Sequence, residues 1–292
     1  MNEIFEEGLE DEFDTSKPGL PFHIVDHNDV SVKRQTYPYN IICRLRMTYD
    51  KGPPQFEYGT GSLIHPRVLI TCGHNFYSYH KKPQLNFEGK VIANEVTVTP
   101  EGGFSNSSQA VKVIQKGPNA NVFLDLNWMK IVDQAPKGNF KGMTYTGKSR
   151  AYDYAFLLLD SPFNYNKYFT LKFLQNLNSA CCCCGVYPDP PGQDQAFAFK
   201  ESDSSTKPDI ISELNEDIAL KIDPTNKRSI IHKLDTFGGN SGSPIYQTDN
   251  QGNCSIIGIH NLGIRDSGNY ATRVDEKIIN GFKSILQMRN LN

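Results

Sequence analysis

Three short stretches of this chain combine residue types that could together carry out acyl transfer. The first is Phe237-Gly238-Gly239-Asn240-Ser241-Gly242-Ser243-Pro244. Glycines on both sides of a serine let the backbone turn tightly and approach a ligand closely. Such a turn can aim the amides of Gly239 and Ser241 at one point, as stabilisation of an oxyanion requires. A plain Gly-Ser turn between two strands is the other reading of the same residues.

A serine nucleophile needs a base. Val68-Leu69-Ile70-Thr71-Cys72-Gly73-His74-Asn75 places a histidine after an apolar run and a small-residue turn, where a sheet can hold the ring and still let it reach a cleft. His65 and His80 lie close by in sequence, so a structural histidine is the alternative at His74. The third stretch, Arg150-Ala151-Tyr152-Asp153-Tyr154-Ala155-Phe156-Leu157-Leu158-Leu159, sets an acid at the mouth of an apolar strand. A carboxylate buried there requires a partner. The ring N–H of His74 would serve, fixing the tautomer whose other nitrogen accepts the serine proton. Otherwise Asp153 is a strand-start turn residue, as Asp160 at the far end of the same strand is expected to be.

The elements that must position these residues read as β structure. Short β-prone runs cover 40–45, 62–64, 67–71, 91–92, 96–98, 111–114, 155–159 and 256–259, separated by Gly, Pro, Asn and Ser clusters. Only the last segment has a helical rhythm. Val274, Ile278, Phe282 and Ile285 recur on one face while Lys277 and Lys283 fall on the other, which predicts an amphipathic C-terminal helix packed on a β domain.

Composition bounds the function. The 292 residues carry 38% hydrophobic and 21% charged side chains, as ordinary globular proteins do. A formal charge of −2 gives no general attraction to nucleic acid or anionic membranes, and no apolar stretch approaches the ~18–20 residues that span a bilayer. Residues 1–14 hold seven acids and no Lys or Arg, the opposite of a secretion signal. A protein kept inside the cell, or a chain whose leader is missing, is expected. The seven cysteines include the run Cys181–Cys184. Zinc sites usually space paired ligands by about two to four residues, so a thiol cluster is favoured over a metal, and no cofactor is expected.

With these residues in place the chain resembles the trypsin-like serine peptidases. Gly59-Thr60-Gly61-Ser62-Leu63-Ile64 and Leu69 to His74 are similar to their GxGxLI…LTAGH stretch, Asp153-Tyr154-Ala155 to their D[LY]AL strand, and Gly238 to Pro244 to GGNSGSP. The order His74…Asp153…Ser241 is that of the chymotrypsin-like class and not of subtilisins; Ser243 in place of glycine also removes the G-x-S-x-G elbow of α/β-hydrolases. Within the class the likeness is to the V8-like glutamyl endopeptidases, through Tyr37-Pro38-Tyr39, Asp235 to Ser241, Gly258-Ile259-His260 and Asn269 to Val274.

That resemblance implies an all-β fold of two packed six-stranded antiparallel β-barrels with a C-terminal helix. Residues 1–23 would form an acidic extension or pro-segment, 24–165 the first barrel with His74 and Asp153, and 166–292 the second with Ser241. It implies a catalytic triad of His74, Asp153 and Ser241, with oxyanion amides from Gly239 and Ser241. His260 and Thr236 would receive a substrate carboxylate, giving cleavage after Glu or Asp in protein and peptide substrates. Asp235 stands where trypsins hold the acid that attracts Lys or Arg, so a basic preference is the rival. Asn75 and Gly59 occupy the positions of the usual histidine-loop disulfide, which therefore cannot form. The stretch from Asn86 to Tyr145 exceeds what the family core needs and reads as an insertion or a long loop.

Overall fold

Strand Ile42–Tyr49 alternates buried and half-buried side chains after its first two residues, the pattern of a ribbon with one face on a core. Val68–Thr71 and Ala155–Leu158 are instead buried at every position, because each lies between neighbours and is covered on both faces. The computed structural model describes residues 28–29, 35–49, 56–82, 87–103, 105–135, 149–175, 177, 182–186, 199–203, 220–232, 239–264 and 268–291. Residues 1–23, with the acidic segment, lie outside them, as do Cys181, Asp235 and Thr236.

Among the described residues two sheets form. In the first, the order is Tyr77–Lys82, Phe87–Thr99, Ile42–Tyr49, Phe56–His65, Val68–Thr71, Ala155–Leu158 and Val122–Leu124, with Gln109–Lys112 added to Phe87–Thr99. In the second, Pro244–Thr248, Cys254–Ile264, Gly268–Arg273, Asn226–His232 and Leu220–Asp223 pair in that order. Cys182–Val186, Phe199–Asp203 and Asn28–Asp29 extend the Pro244–Thr248 edge. These sheets hold eight and nine strands, more than six each; the second includes the two-residue pieces Asn28–Asp29 and Thr170–Leu171, and the first the short strands Gln109–Lys112 and Val122–Leu124. Thr170–Leu171 runs parallel to Ser255–Ile256; the other pairings among the described strands are antiparallel, for instance Leu69 with Leu157 and His260 with Ala271. No helix among the described residues is long and apolar enough to cross a membrane.

The described part of the long 86–145 stretch is not a loop. It supplies strands Phe87–Thr99, Gln109–Lys112 and Val122–Leu124 and the helix Leu126–Gln134. That helix begins at Asp125, whose carboxylate accepts the Asn127 N–H at 2.7 Å and so satisfies one orphan donor of the first turn. The same carboxylate accepts from the Tyr154 hydroxyl at 2.9 Å and from Lys277 of the terminal helix at 2.6 Å. One fully buried acid thus joins three segments. Asp125→Ala removes a cap and strands a buried hydroxyl, so we expect a loss of about 2–4 kcal/mol. Urea unfolding would measure it, and a change within the range of an ordinary surface substitution would contradict that role.

The terminal helix, Glu276–Met288, buries Ile278 and Ile285, and Val274 just before it is buried as well. Phe282 stacks on Phe156 of the first sheet at 6.2 Å. Asp275 caps the helix by accepting the Ile278 N–H at 3.0 Å. Complete burial of a side chain such as Ile278 contributes about 1.5–3 kcal/mol.

Candidate active site

Strand Val68–Thr71 ends at Cys72, and a single tight turn over Gly73–Asn75 carries His74 out of the sheet. Gly73 is required there. A Cβ at that position would lie 2.9 Å from Cδ1 of Trp128, the chain's one tryptophan. The indole is fully buried, donates to the Tyr77 carbonyl at 2.8 Å, and sits with its ring 6.5 Å from that of His74. Helix Leu126–Gln134 therefore forms the floor beneath the histidine.

Asp153 meets His74 twice. Its Oδ1 accepts the His74 backbone N–H at 2.8 Å, and its Oδ2 lies 2.7 Å from Nδ1. The acid is 1% exposed, as its place before an apolar strand predicts, and the paired imidazole compensates its burial. Both sheets fix it. The preceding turn, Ser149–Tyr152, offers the Arg150 carbonyl to Thr272 Oγ1 at 2.6 Å and to Asn261 Nδ2 at 3.0 Å. Thr272 Oγ1 also lies 3.2 Å from the Asp153 carbonyl, the longer of the two contacts its one hydroxyl proton can make. Asp160, by contrast, is an exposed bend residue.

The Ser241 turn is fastened to the residues around His74. Thr60 N donates to the Ser241 carbonyl at 2.8 Å, Thr60 Oγ1 donates to the Gly239 carbonyl at 2.8 Å, and Asn75 Nδ2 donates to the Ser241 carbonyl at 3.1 Å. Gly239 and Gly242 both have φ of +96°, a region that glycine enters at no steric cost. Within the turn Ser243 N donates to the Asn240 carbonyl at 2.8 Å. Because a trans peptide is planar, the N–H of Ser241 then points the opposite way.

His260 closes the same constellation from strand Cys254–Ile264. Its carbonyl accepts from Gly242 N at 2.7 Å and from the Cys72 thiol at 2.9 Å, and its N–H donates to the Ser243 carbonyl at 2.9 Å. The structure thus gathers His74, Asp153, Gly239, Ser241 and His260. Thr236 and Asp235 fall outside the described residues. His65 and His80 stand apart, the first accepting from Arg67 N at 3.1 Å and the second 3.5 Å from Glu57.

Three participants escaped sequence reading. Thr60 and Asn75 clamp the serine turn, and Cys72 joins the first sheet to His260. The absent disulfide explains Asn75: a Cβ on Gly59 would lie 2.6 Å from its amide nitrogen, so the two positions do face each other. A polar amide holds the serine turn where a disulfide would have held the histidine loop. Cys72, His74 and Asp153 each place one donor atom within 4.8 Å of the others, a set that could approach a soft cation. Here those atoms are engaged with one another and with the His260 carbonyl.

Burial alone would lower the His74 pKa. The charge and hydrogen bond of Asp153, helped by Glu57, overcome this and raise it above the ordinary 6.5. Were His74 to act as a general base it would have to be neutral, so any activity resting on it would be complete above this pKa and fall as pH drops through it. The acid limb of kcat/KM, which reports the free enzyme, is expected above pH 6.5. A limb below that value would show that Asp153 does not govern the ring.

No protein-family model and no curated protein sequence matches this chain. Solved structures do. A Glu endopeptidase in complex with MPD aligns with a TM-score of 0.53 at 18% identity, covering 89% of this chain and 95% of its own. The chain has the chymotrypsin-like serine peptidase fold. Thermostable serine protease AL20, from an extremophilic microorganism, shares this fold at a TM-score of 0.53 and 11% identity, over 84% and 96% of the two chains. The inactivated protease paralogue S-I1 of the scabies mite does so at 0.51 and 13%, over 87% and 96%. One chymotrypsin-like fold therefore carries both active and inactivated sites, and the chemistry rests on the side chains described above.

Proposed function

We propose that this protein is a serine endopeptidase that cleaves peptide bonds after Glu or Asp through an acyl-enzyme. The observation that carries the reading is the doubly bonded His74–Asp153 pair, with the Ser241 turn fastened beside it by Thr60 and Asn75. Ser241 Oγ attacks the peptide carbonyl while His74 takes its proton. The oxyanion that forms is received by the amides of Gly239 and Ser241. His74 then returns the proton to the leaving amine as the C–N bond breaks. Water, losing its proton to His74, releases the acyl group. Asp153 holds the ring in the required tautomer and stabilises its charged form.

For the specificity pocket, His260 and Thr236 would supply donors to a carboxylate, each such charge-assisted bond being stronger than a neutral one. Support comes from the burial of His260 directly against the nucleophile turn. Asp235 would favour Lys or Arg instead. A second reading, a protease-shaped binding module without turnover, draws on the inactivated paralogue among the structural neighbours.

A cleavage-site profile on a denatured proteome, with Ser241→Ala as the blank, separates these readings. Cuts after Glu or Asp that vanish in the blank are the expected result. Cuts after Lys or Arg would hand the pocket to Asp235. No cuts from the full chain or from one beginning at Ile24 would favour the binding module.

A further inference from the structure

The outward face of the first sheet carries a row of basic and aromatic side chains that the proposed chemistry does not use. Arg44, Arg46 and Thr48 alternate along strand Ile42–Tyr49 with the buried Cys43, Leu45 and Met47, so they share the face turned from the core. The neighbouring strand sets Thr60, Tyr58 and Phe56 opposite them in register. Each arginine lies over a ring: Arg44 is 5.7 Å from the centroid of Tyr58, and Arg46 is 4.5 Å from that of Phe56. The row starts at Thr60, whose Oγ1 and N hold the Gly239 and Ser241 carbonyls. It runs outward from there for about 14 Å, at ~3.4 Å per residue. Phe56 is 40% exposed, so the far end opens to solvent.

We propose that this row is the docking site for the acidic segment 1–14 of the same chain, with Glu10, Glu12 and Asp14 on the two arginines. Charge complementarity singles out that occupant. Residues 1–14 carry seven acids and no Lys or Arg, whereas the other 278 residues hold 30 basic and 25 acidic side chains, a net +5. The period agrees as well. Glu10, Glu12 and Asp14 recur at every second residue. An extended segment presents them on one side at ~6.8 Å intervals, the spacing of Arg44 and Arg46 along their strand. The connection is long enough. Asn28 is placed at the margin of the second sheet by its pairing with Glu201. Residues 15–27 reach up to about 45 Å from it when extended, close to the ~50 Å diameter of a compact chain of this length.

The face is prepared for an anion. Burial first, and the like charge of Arg46 with it, hold the Arg44 pKa below its usual value, with Tyr58 opposing. The two guanidiniums are thus close enough to repel each other. A carboxylate between them relieves that repulsion and can accept the paired N–H donors of a guanidinium fork. Stacking over the rings holds each planar fork in place, so less side-chain freedom is lost when it is engaged. Among the described residues in register with the row the acid is Glu95, opposite Thr48, and Lys112 stands beside it on the next strand. That leaves the row with a positive excess. Charges at a surface are screened by salt, so docking should be firm at low ionic strength and lost at high.

The test is limited digestion of the full chain carrying Ser241→Ala, so that any self-cleavage is absent from the readout. Added chymotrypsin cuts after Phe5 or Phe13, and mass spectrometry follows loss of the segment. Each rate is divided by that of a synthetic peptide of the same sequence. At about 0.01 M salt, where screening reaches only beyond ~30 Å, this parent should be cut at least about tenfold more slowly than Arg44→Gln/Arg46→Gln, because cleavage tracks the undocked fraction. At about 1 M salt the difference should vanish. Lys130→Gln, at an exposed helix position, is the charge control and should be cut at the parent rate. Charge reversal gives the sharper result. Arg44→Glu/Arg46→Glu should release the segment, and adding Glu10→Lys, Glu12→Lys and Asp14→Lys to that chain should restore protection, which a misfolded sheet could not do. Equal cutting of the parent and the Gln variant at low salt, a parent rate unmoved by salt, or no restoration on reversal overturns the proposal. Protection that grows with protein concentration overturns it too, by assigning the face to the segment of a second copy.

Discussion

Ser241→Ala is expected to lower kcat by about four to six orders of magnitude while the folded chain stays as stable as its parent. The two halves of this result have separate causes. On the proposed reading, removing Oγ removes the nucleophile, and the remaining oxyanion donors and binding contacts could supply only a residual acceleration. Stability should hold because the turn is fastened through the Ser241 carbonyl, which accepts from Thr60 N and Asn75 Nδ2. Those bonds survive the substitution, so the unfolding free energy should move by no more than about 0.5 kcal/mol. A variant with full activity would show that another group attacks the substrate. A variant that fails to fold would show that the hydroxyl has a structural duty.

Gly242→Ala should be the more damaging change to the molecule as a whole. A Cβ there would lie 2.0 Å from the Thr60 carbonyl oxygen and 2.2 Å from Thr71 Oγ1. Neither can retreat easily, because Thr71 Oγ1 donates to that same carbonyl at 2.6 Å and Thr60 holds Gly239 and Ser241. The φ of +96° adds backbone strain that alanine does not tolerate. Strain and overpacking together should cost at least about 3 kcal/mol. A displacement of the serine turn by about 1 Å would further reduce kcat about a hundredfold. Gly117 is the control. It has φ of +90° with nothing within 4 Å of a Cβ, so Gly117→Ala should cost only the backbone part, about 1–2 kcal/mol. Equal effects at the two glycines, in Tm and in kcat, would contradict the close approach of the sheets at Gly242.

The contrast between those glycines indicates what a sequence can and cannot disclose. Ser241 with its glycines, His74 after its apolar strand and Asp153 before one are local patterns, and each states its own need for a partner. The terminal helix was legible for the same reason: the spacing of Val274, Ile278, Phe282 and Ile285 is a local period, and those residues do face the core. Thr60 and Asn75 were not legible. Their partners in the serine turn lie 179 and 166 residues away, and neither residue type is unusual where it stands. Trp128 is the chain's one tryptophan, yet only the fold brings it onto Gly73. His232, whose Nε2 lies 3.1 Å from His260 Nδ1, carried no mark at all. Its partner is 28 residues distant on a strand that pairs with a common neighbour, which strand order alone determines. Within the 86–145 stretch, strand Phe87–Thr99 is longer than the apolar runs at 91–92 and 96–98 suggested, because it alternates buried and exposed residues, diluting the hydrophobic signal.

The central claim is that Ser241 is an activated nucleophile, its proton drawn by His74 and the ring held by Asp153. A fluorophosphonate reacts covalently only with such a serine, and peptide mapping by mass spectrometry identifies the residue that carries it. The account predicts a single label on Ser241, absent from Ser241→Ala and lost or greatly slowed in His74→Ala. A label on any other residue, or no label on either the full chain or one beginning at Ile24, would contradict it.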